Sequence, residues 1–175
     1  MFERKLELPK EKTETFFLWG PRQTGKTTLL RQKYPNAFWI DLLKADHYRR
    51  YLTRPERMRE EIEALESTPF VVIDEVQKVP KILDEVHWLH EAHGLQFALC
   101  GSSARKVKRG AANLLGGSAV RYELRGLTSS ELGSAFELER ILNHGFLPRV
   151  YESDRPKRLL NGYVADYLKE EVASE

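Results

Sequence analysis

No stretch restricts the fold of this chain more than residues 15–30, TFFLWGPRQTGKTTLL. Apolar residues run into Gly20-Pro21-Arg22-Gln23-Thr24-Gly25-Lys26-Thr27, and a helix-forming pattern follows. The spacing G-x-x-x-x-G-K-[ST] is that of a phosphate-binding loop, which requires a strand before it and a helix after it. Gly20 and Gly25 let the backbone turn tightly and aim its N–H groups inward at an anion. Lys26 has the reach for β- and γ-phosphates, and the Thr27 hydroxyl is placed to ligate Mg²⁺. The helix that starts there adds its positive end. Pro21, Arg22, Gln23 and Thr24 complete the loop, and Thr28 follows it into the helix, so residues 20–28 form the expected phosphate cradle. A glycine-rich turn with a solvated lysine would not need the flanking strand and helix patterns.

A second stretch gives the loop a chemistry. Residues 70–74, FVVID, are apolar β-formers that end in two acids, Asp74 and Glu75. A buried strand would carry these carboxylates to the C-terminal edge of a parallel sheet, where ligands bind in open α/β folds. Asp74 would hold the Mg²⁺ shell opposite Thr27. Glu75 would accept a proton from the water that attacks the γ-phosphate. The next strand, residues 95–100, LQFALC, ends in Gly101-Ser102-Ser103. A small polar residue there is placed to hydrogen-bond the γ-phosphate or the water. Ser102 is the first choice and Ser103 the second, with a helix N-cap as the competing role for either.

Composition removes some classes. With 41% hydrophobic residues among 175, the chain can build a core for one compact domain and a small appendage. Net charge is +2 although 31% of residues are charged, so composition does not indicate nucleic acid. No apolar run approaches the ~18 residues of a membrane span. The N-terminal MFERKLELPKEK has no signal-peptide core. The one cysteine, Cys100, fits a reducing compartment, and the expected localisation is cytoplasmic.

In order, residues 2–8 read as an amphipathic lead-in, with Phe2, Leu6 and Leu8 able to dock on the domain edge. Residues 15–19 read as a strand buried on both faces. Helix follows over 26–33 and strand over 37–41. Helices are then expected at 46–52 and 55–65, the latter with Pro55 at its start and Met58, Ile62 and Leu65 at helical spacing. Residues 80–92 form the next expected helix. His87, His90 and His93 recur along it, but with no further ligand near in sequence they read as a surface face and not a metal site. Residues 105–109 are a basic turn, 113–117 a short apolar helix and 119–124 a fifth strand. Thr128 with Glu131 is a helix-start signature. Helix over 136–142, a loop over 144–148 and helix over 156–172 complete the chain. Helices without strands after the fifth strand suggest a small lid.

These motifs together resemble the AAA+ predicted ATPases of prokaryotes, built as an AAA domain followed by a C-terminal domain of unknown function. The resemblance rests on GPRQTGKTTLL, IDLL with YRRYLTRPE, VVIDEVQKVP, LCGSSARKVKRGAANLLGG, RYELRGLTSSEL, the Gly-Phe-Leu-Pro element and YVADYLKEEV. It implies an α/β P-loop NTPase fold with a five-stranded parallel sheet flanked by helices, residues 1–127 being the ATPase core and 128–175 a helical lid. It implies ATP and Mg²⁺ as ligands, Gly20, Gly25, Lys26 and Thr27 as the phosphate loop, Asp74 and Glu75 as the metal and water site, and Ser102 as the sensor. The 145–148 loop resembles a Gly-x-Pro element that packs near the base in related signalling ATPases, which makes Pro148 a cofactor contact. Two departures stand out. Related sequences tend to carry Arg where this chain has Ser118, and Arg121, Arg105 or a subunit in trans are the candidate substitutes. The family also continues into a second domain where this chain stops, so a truncated chain is expected.

The leading expectation is an ATP-hydrolysing module with Lys26, Glu75 and Ser102 as its catalytic groups, coupled to a protein partner or to the missing domain. The alternative is a nucleotide-binding switch or interaction module with negligible hydrolysis, which Ser118 motivates. A small-molecule kinase is disfavoured, because an Asp-Glu strand end suits water activation and no acceptor pocket is readable. The basic stretches 105–109 and 155–158 are modest and not interleaved with aromatics, so nucleic acid stays open as a partner without being indicated. Oligomerisation is compatible with the resemblance but is not established by it.

Overall fold

The computed structural model describes residues 2–102 and 115–167. Ser103, Arg105, the basic turn 105–109 and the final residues of the last expected helix lie outside them. The chain divides into two compact units, Leu6–Leu124 and a second of Met1–Lys5 with Arg125–Glu175.

The first unit is a five-stranded, all-parallel sheet in the order β2-β3-β4-β1-β5. Its strands are β1 (Phe16–Trp19), β2 (Phe38–Asp41), β3 (Val71–Asp74), β4 (Phe97–Gly101) and β5 (Val120–Glu123). Its helices are α1 (Lys26–Lys33), α2 (Ala45–Thr53), α3 (Arg57–Glu63) and α4 (Ile82–His93). The central strands β1, β3 and β4 are buried throughout, as continuous apolar runs in a parallel sheet should be. Alternation along them separates two cores. Phe17, Trp19, Val71, Ile73, Phe97 and Leu99 face one side and pack with Tyr51 of α2, Met58 and Ile62 of α3, and Ile82, Val86 and Leu89 of α4. Phe16, Leu18, Val72, Ala98 and Cys100 face the other and pack with Leu29 and Leu30 of α1 and with Tyr34 and Leu8. Pro55 is not the first residue of α3; its carbonyl accepts from Met58 N–H at 3.0 Å in a turn that leads into that helix.

The second unit holds α5 (Ser129–Leu132), α6 (Leu138–His144), α7 (Pro148–Tyr151) and α8 (Pro156–Tyr167). The capping box read from sequence forms. Thr128 Oγ1 accepts from Glu131 N–H at 3.2 Å, and Glu131 Oε2 accepts from Thr128 N–H at 2.9 Å. The lead-in is shared between the units. Phe2 packs edge-on against Tyr151, with ring centroids 5.7 Å apart, whereas Leu6 and Leu8 join the α1 face of the sheet unit. The expected 144–148 loop ends earlier than sequence suggests, because Pro148 takes the first position of α7, where its missing N–H costs no hydrogen bond.

Candidate functional site

The candidate site lies at the carboxyl ends of β1, β3 and β4. β1 delivers the chain to Gly20, where a Cβ would stand 2.0 Å from the Leu124 carbonyl oxygen, so no side chain fits. The loop then turns back through two left-handed residues, Gln23 at φ 63° and Gly25 at φ 90°. Gln23 carries a conformational cost there that glycine does not. Thr24 is fully buried and its hydroxyl donates to the Pro21 carbonyl at 3.0 Å, closing the turn. Gly25 is the N-cap of α1 and supplies no side-chain acceptor, and the first turn contains no acid. The opening N–H groups of α1 are therefore left for an external anion.

Lys26 is 6% exposed, yet its partners are neutral: Nζ donates to the Gly20 carbonyl at 2.8 Å and to the Pro21 carbonyl at 2.9 Å. No carboxylate among the described residues forms an ion pair with it. A buried ammonium held only by carbonyls is what an incoming phosphate would complete. Next to it the Thr27 hydroxyl donates to Asp74 Oδ2 at 2.7 Å. Asp74 is 1% exposed, and its Oδ1 accepts the Glu75 N–H at 3.0 Å. An all-oxygen pair of one hydroxyl and one carboxylate fits a hard divalent cation such as Mg²⁺. Thr28 is exposed one position further on.

Glu75 is left-handed, at φ 58° and ψ 42°. For a residue with a Cβ this is strain of about 1 kcal/mol or more, and such strain clusters at functional sites. It leads into a single 3₁₀ turn, Val76–Lys78, and Gln77 in that turn donates through Nε2 to Glu75 Oε2. The same Nε2 donates to Ser102 Oγ at 3.1 Å, immediately after β4. Behind Asp74, burial first and the Asp74 carboxylate second hold the Cys100 thiol well above its ordinary value, so it stays protonated.

The structure thus brings Gly20, Pro21, Arg22, Gln23, Thr24, Gly25, Lys26, Thr27, Asp74, Glu75 and Ser102 to one sheet edge. Pro148 belongs to the second unit. Ser118 is exposed, its N–H bonded to the Leu115 carbonyl at 2.7 Å. Arg121 lies in register with Phe17, two positions before the end of β1. His87 and His93 are exposed, and His90 Nδ1 bonds the Leu95 carbonyl at 2.9 Å. No cluster of metal-ligating side chains occurs among the described residues. Nor is any helix among them long and apolar enough to cross a membrane. Reading the residues singly missed Gln77. It sat inside the quoted DEVQKVP motif, but nothing in the spacing says that its amide reaches Ser102.

A family model described as an AAA domain matches residues 12–133. Among solved structures, a point mutant of Thermogota maritima RuvB aligns with TM-score 0.50 at 18% identity, over 89% of this chain and 56% of that one. The Aeropyrum pernix ORC2 protein in its ADP form aligns with TM-score 0.48 at 14% identity, over 89% and 52%. This chain therefore spans about half the length of these two solved structures. No curated protein matches it in sequence. With the parallel sheet, the loop and the family match covering more than half its length, the chain is an AAA+ ATPase-like domain and belongs to the AAA domain family.

Proposed function

We propose that this domain binds ATP with Mg²⁺ at residues 20–28 and hydrolyses it, using the change to drive a protein partner or an attached domain. One observation carries the reading: across 47 positions of sequence the Thr27 hydroxyl meets the Asp74 carboxylate, beside the carbonyl-held Lys26 ammonium. The loop N–H groups and Lys26 bind the β- and γ-phosphates, and Thr27 and Asp74 hold the cation. The bound Mg²⁺ supplies neutralisation of the phosphate oxygens and fixes their orientation. Glu75 orients the attacking water and takes its proton, and Ser102 donates to a γ-phosphate oxygen. The water oxygen bonds to the γ-phosphorus as the bridging P–O bond breaks, ADP leaves with that oxygen, and Glu75 later returns the proton to solvent.

The test is ATP turnover and nucleotide affinity of the wild type, Lys26→Ala and Glu75→Gln. Lys26→Ala should lose binding, and Glu75→Gln should bind ATP but release no phosphate. Equal turnover by all three would remove the assignment. A second reading, a nucleotide-binding switch with negligible turnover, is favoured by Ser118 being a short exposed side chain where related sequences tend to carry Arg. Tight ATP or ADP binding without phosphate release by the wild type would select it.

A further inference from the structure

We propose that Gln77 is a positioning residue that sets the hydrogen-bond polarity of both Glu75 and Ser102 through one side-chain amide; this rests on the hydrolytic reading above. The amide Nε2 has two hydrogens, and they are directed to Glu75 Oε2 and to Ser102 Oγ, the latter at 3.1 Å. Its orientation follows from chemistry. An ionised carboxylate only accepts, so the NH₂ and not the carbonyl must face Glu75. That choice drives Gln77 Oε1 to the far side, where it is buried with no hydrogen-bond partner among the described residues. There it lies against Gly101, where a Cβ would stand 2.4 Å from Oε1. The last position of β4 has room for the amide only because it has no side chain.

An apolar side chain of the same length would fill this space without stranding a carbonyl. What the amide adds is its two donated bonds. The first engages Glu75 Oε2 and leaves Oε1, which takes no protein donor among the described residues, as the oxygen that receives the water's proton. The second makes Ser102 Oγ an acceptor toward Gln77, so that the hydroxyl hydrogen is left to point outward to a γ-phosphate oxygen. The left-handed turn at Glu75 makes this bridge reachable, because it folds the 3₁₀ turn back so that position 77 faces the side chain of position 75.

The experiment compares Gln77→Met and Gln77→Glu with the wild type, Glu75→Gln and the Glu75→Gln/Gln77→Met double variant. ATP turnover and thermal melting of the nucleotide-free protein are measured for each. Gln77→Met should lower kcat about 10- to 100-fold, as a misplaced base does, with KM for ATP within about twofold. Its Tm should stay level or rise, because the stranded carbonyl is gone. Gln77→Glu, of the same shape but presenting a second carboxylate to Glu75, should lose at least as much kcat. The double variant should be no slower than Glu75→Gln alone. Full kcat in Gln77→Met or Gln77→Glu, with Glu75→Gln inactive, overturns the inference and leaves the hydrolytic reading standing. A lowered Tm with raised KM in Gln77→Met makes the residue merely structural and also overturns it. A wild type without turnover, or Glu75→Gln at the wild-type rate, removes the hydrolytic reading and the inference with it.

Discussion

Among the described residues, nineteen buried side chains form one core of the sheet unit and eleven form the other, whereas the helical unit has a buried cluster of four, Leu127, Leu132, Ile141 and Tyr151. The helical unit makes up the difference with polar groups. Arg4 Nε donates to Glu131 Oε1 at 3.0 Å, Lys5 N–H donates to the same oxygen at 2.8 Å, and Arg4 also reaches the Arg125 carbonyl at 2.8 Å. Arg140 donates to the Tyr151 and Ser153 carbonyls at 2.9 and 2.6 Å. The Tyr151 hydroxyl accepts from Glu137 N–H at 3.0 Å and donates to the Ala135 carbonyl. In the sheet unit the polar groups at the strand ends are instead strained, stranded or charged with no ion pair among the described residues, as at Glu75, Gln77 and Lys26. Where apolar burial secures the shape, polar side chains can be arranged for a ligand; where it does not, they hold the fold.

That contrast can be broken by substitution, and the largest effect should come from the sheet. Phe97→Ala, at a fully buried position, should cost about 3–5 kcal/mol in urea denaturation. Gly20→Ala comes next. Its methyl group meets a backbone oxygen and not a movable side chain, so a loss of about 1–3 kcal/mol is expected together with loss of nucleotide binding. In the helical unit a polar change should suffice. Arg4→Ala leaves Glu131, whose side chain is 3% exposed, short of a charged donor and should cost about 1.5–3 kcal/mol. Hydrogen exchange should then accelerate most in the amides of residues 128–151.

Acid should act on the same point. Burial alone would raise the Glu131 carboxyl, but the Lys5 N–H, the Arg4 guanidinium and the Thr128 N–H hold it below its ordinary value. Its folded pKa therefore lies below the unfolded value of about 4.3. The stabilisation is fully present above that pH and is lost as pH falls through the folded pKa. Melting followed from pH 6 to pH 3 should show this loss in the wild type and not in Glu131→Gln. The smallest change should come from Lys26→Ala. Its Tm should move by less than that of Arg4→Ala while nucleotide binding disappears, which would separate ligand-directed polar groups from fold-holding ones.

Sequence exposed what depends on period and punctuation. The run Lys26–Lys33 reads as a helix because Gly25 precedes it and Pro35 follows it, and α1 has those bounds. Unbroken apolar runs mark β1, β3 and β4, and Thr128 with Glu131 marks a cap that forms. Less legible was whatever depends on tertiary placement. That Arg4 and Lys5 serve a helix start more than 120 positions away has no local signal. Nor has the bridge from Gln77 to Ser102, which exists only because β3 and β4 are neighbours. Thr27 and Asp74 were readable as groups for one cation, but the hydroxyl–carboxylate contact between them needed the fold.

The strand order has a consequence for how the molecule is made. β1 carries the loop, yet its two neighbours are β4 and β5, and the hydrogen bond from Phe97 N–H to the Thr15 hydroxyl already spans 82 positions. A nascent chain emerges with β1 first and must hold it unpaired, as an apolar four-residue strand, until nearly the whole sheet unit has been synthesised. Gly20 cannot settle against the Leu124 carbonyl before residue 124 exists. Non-local pairing of this kind is slow and leaves strand edges open. Within the sheet unit, the loop that follows β1 is therefore translated ahead of the other four strands and is among the last segments to take its working shape.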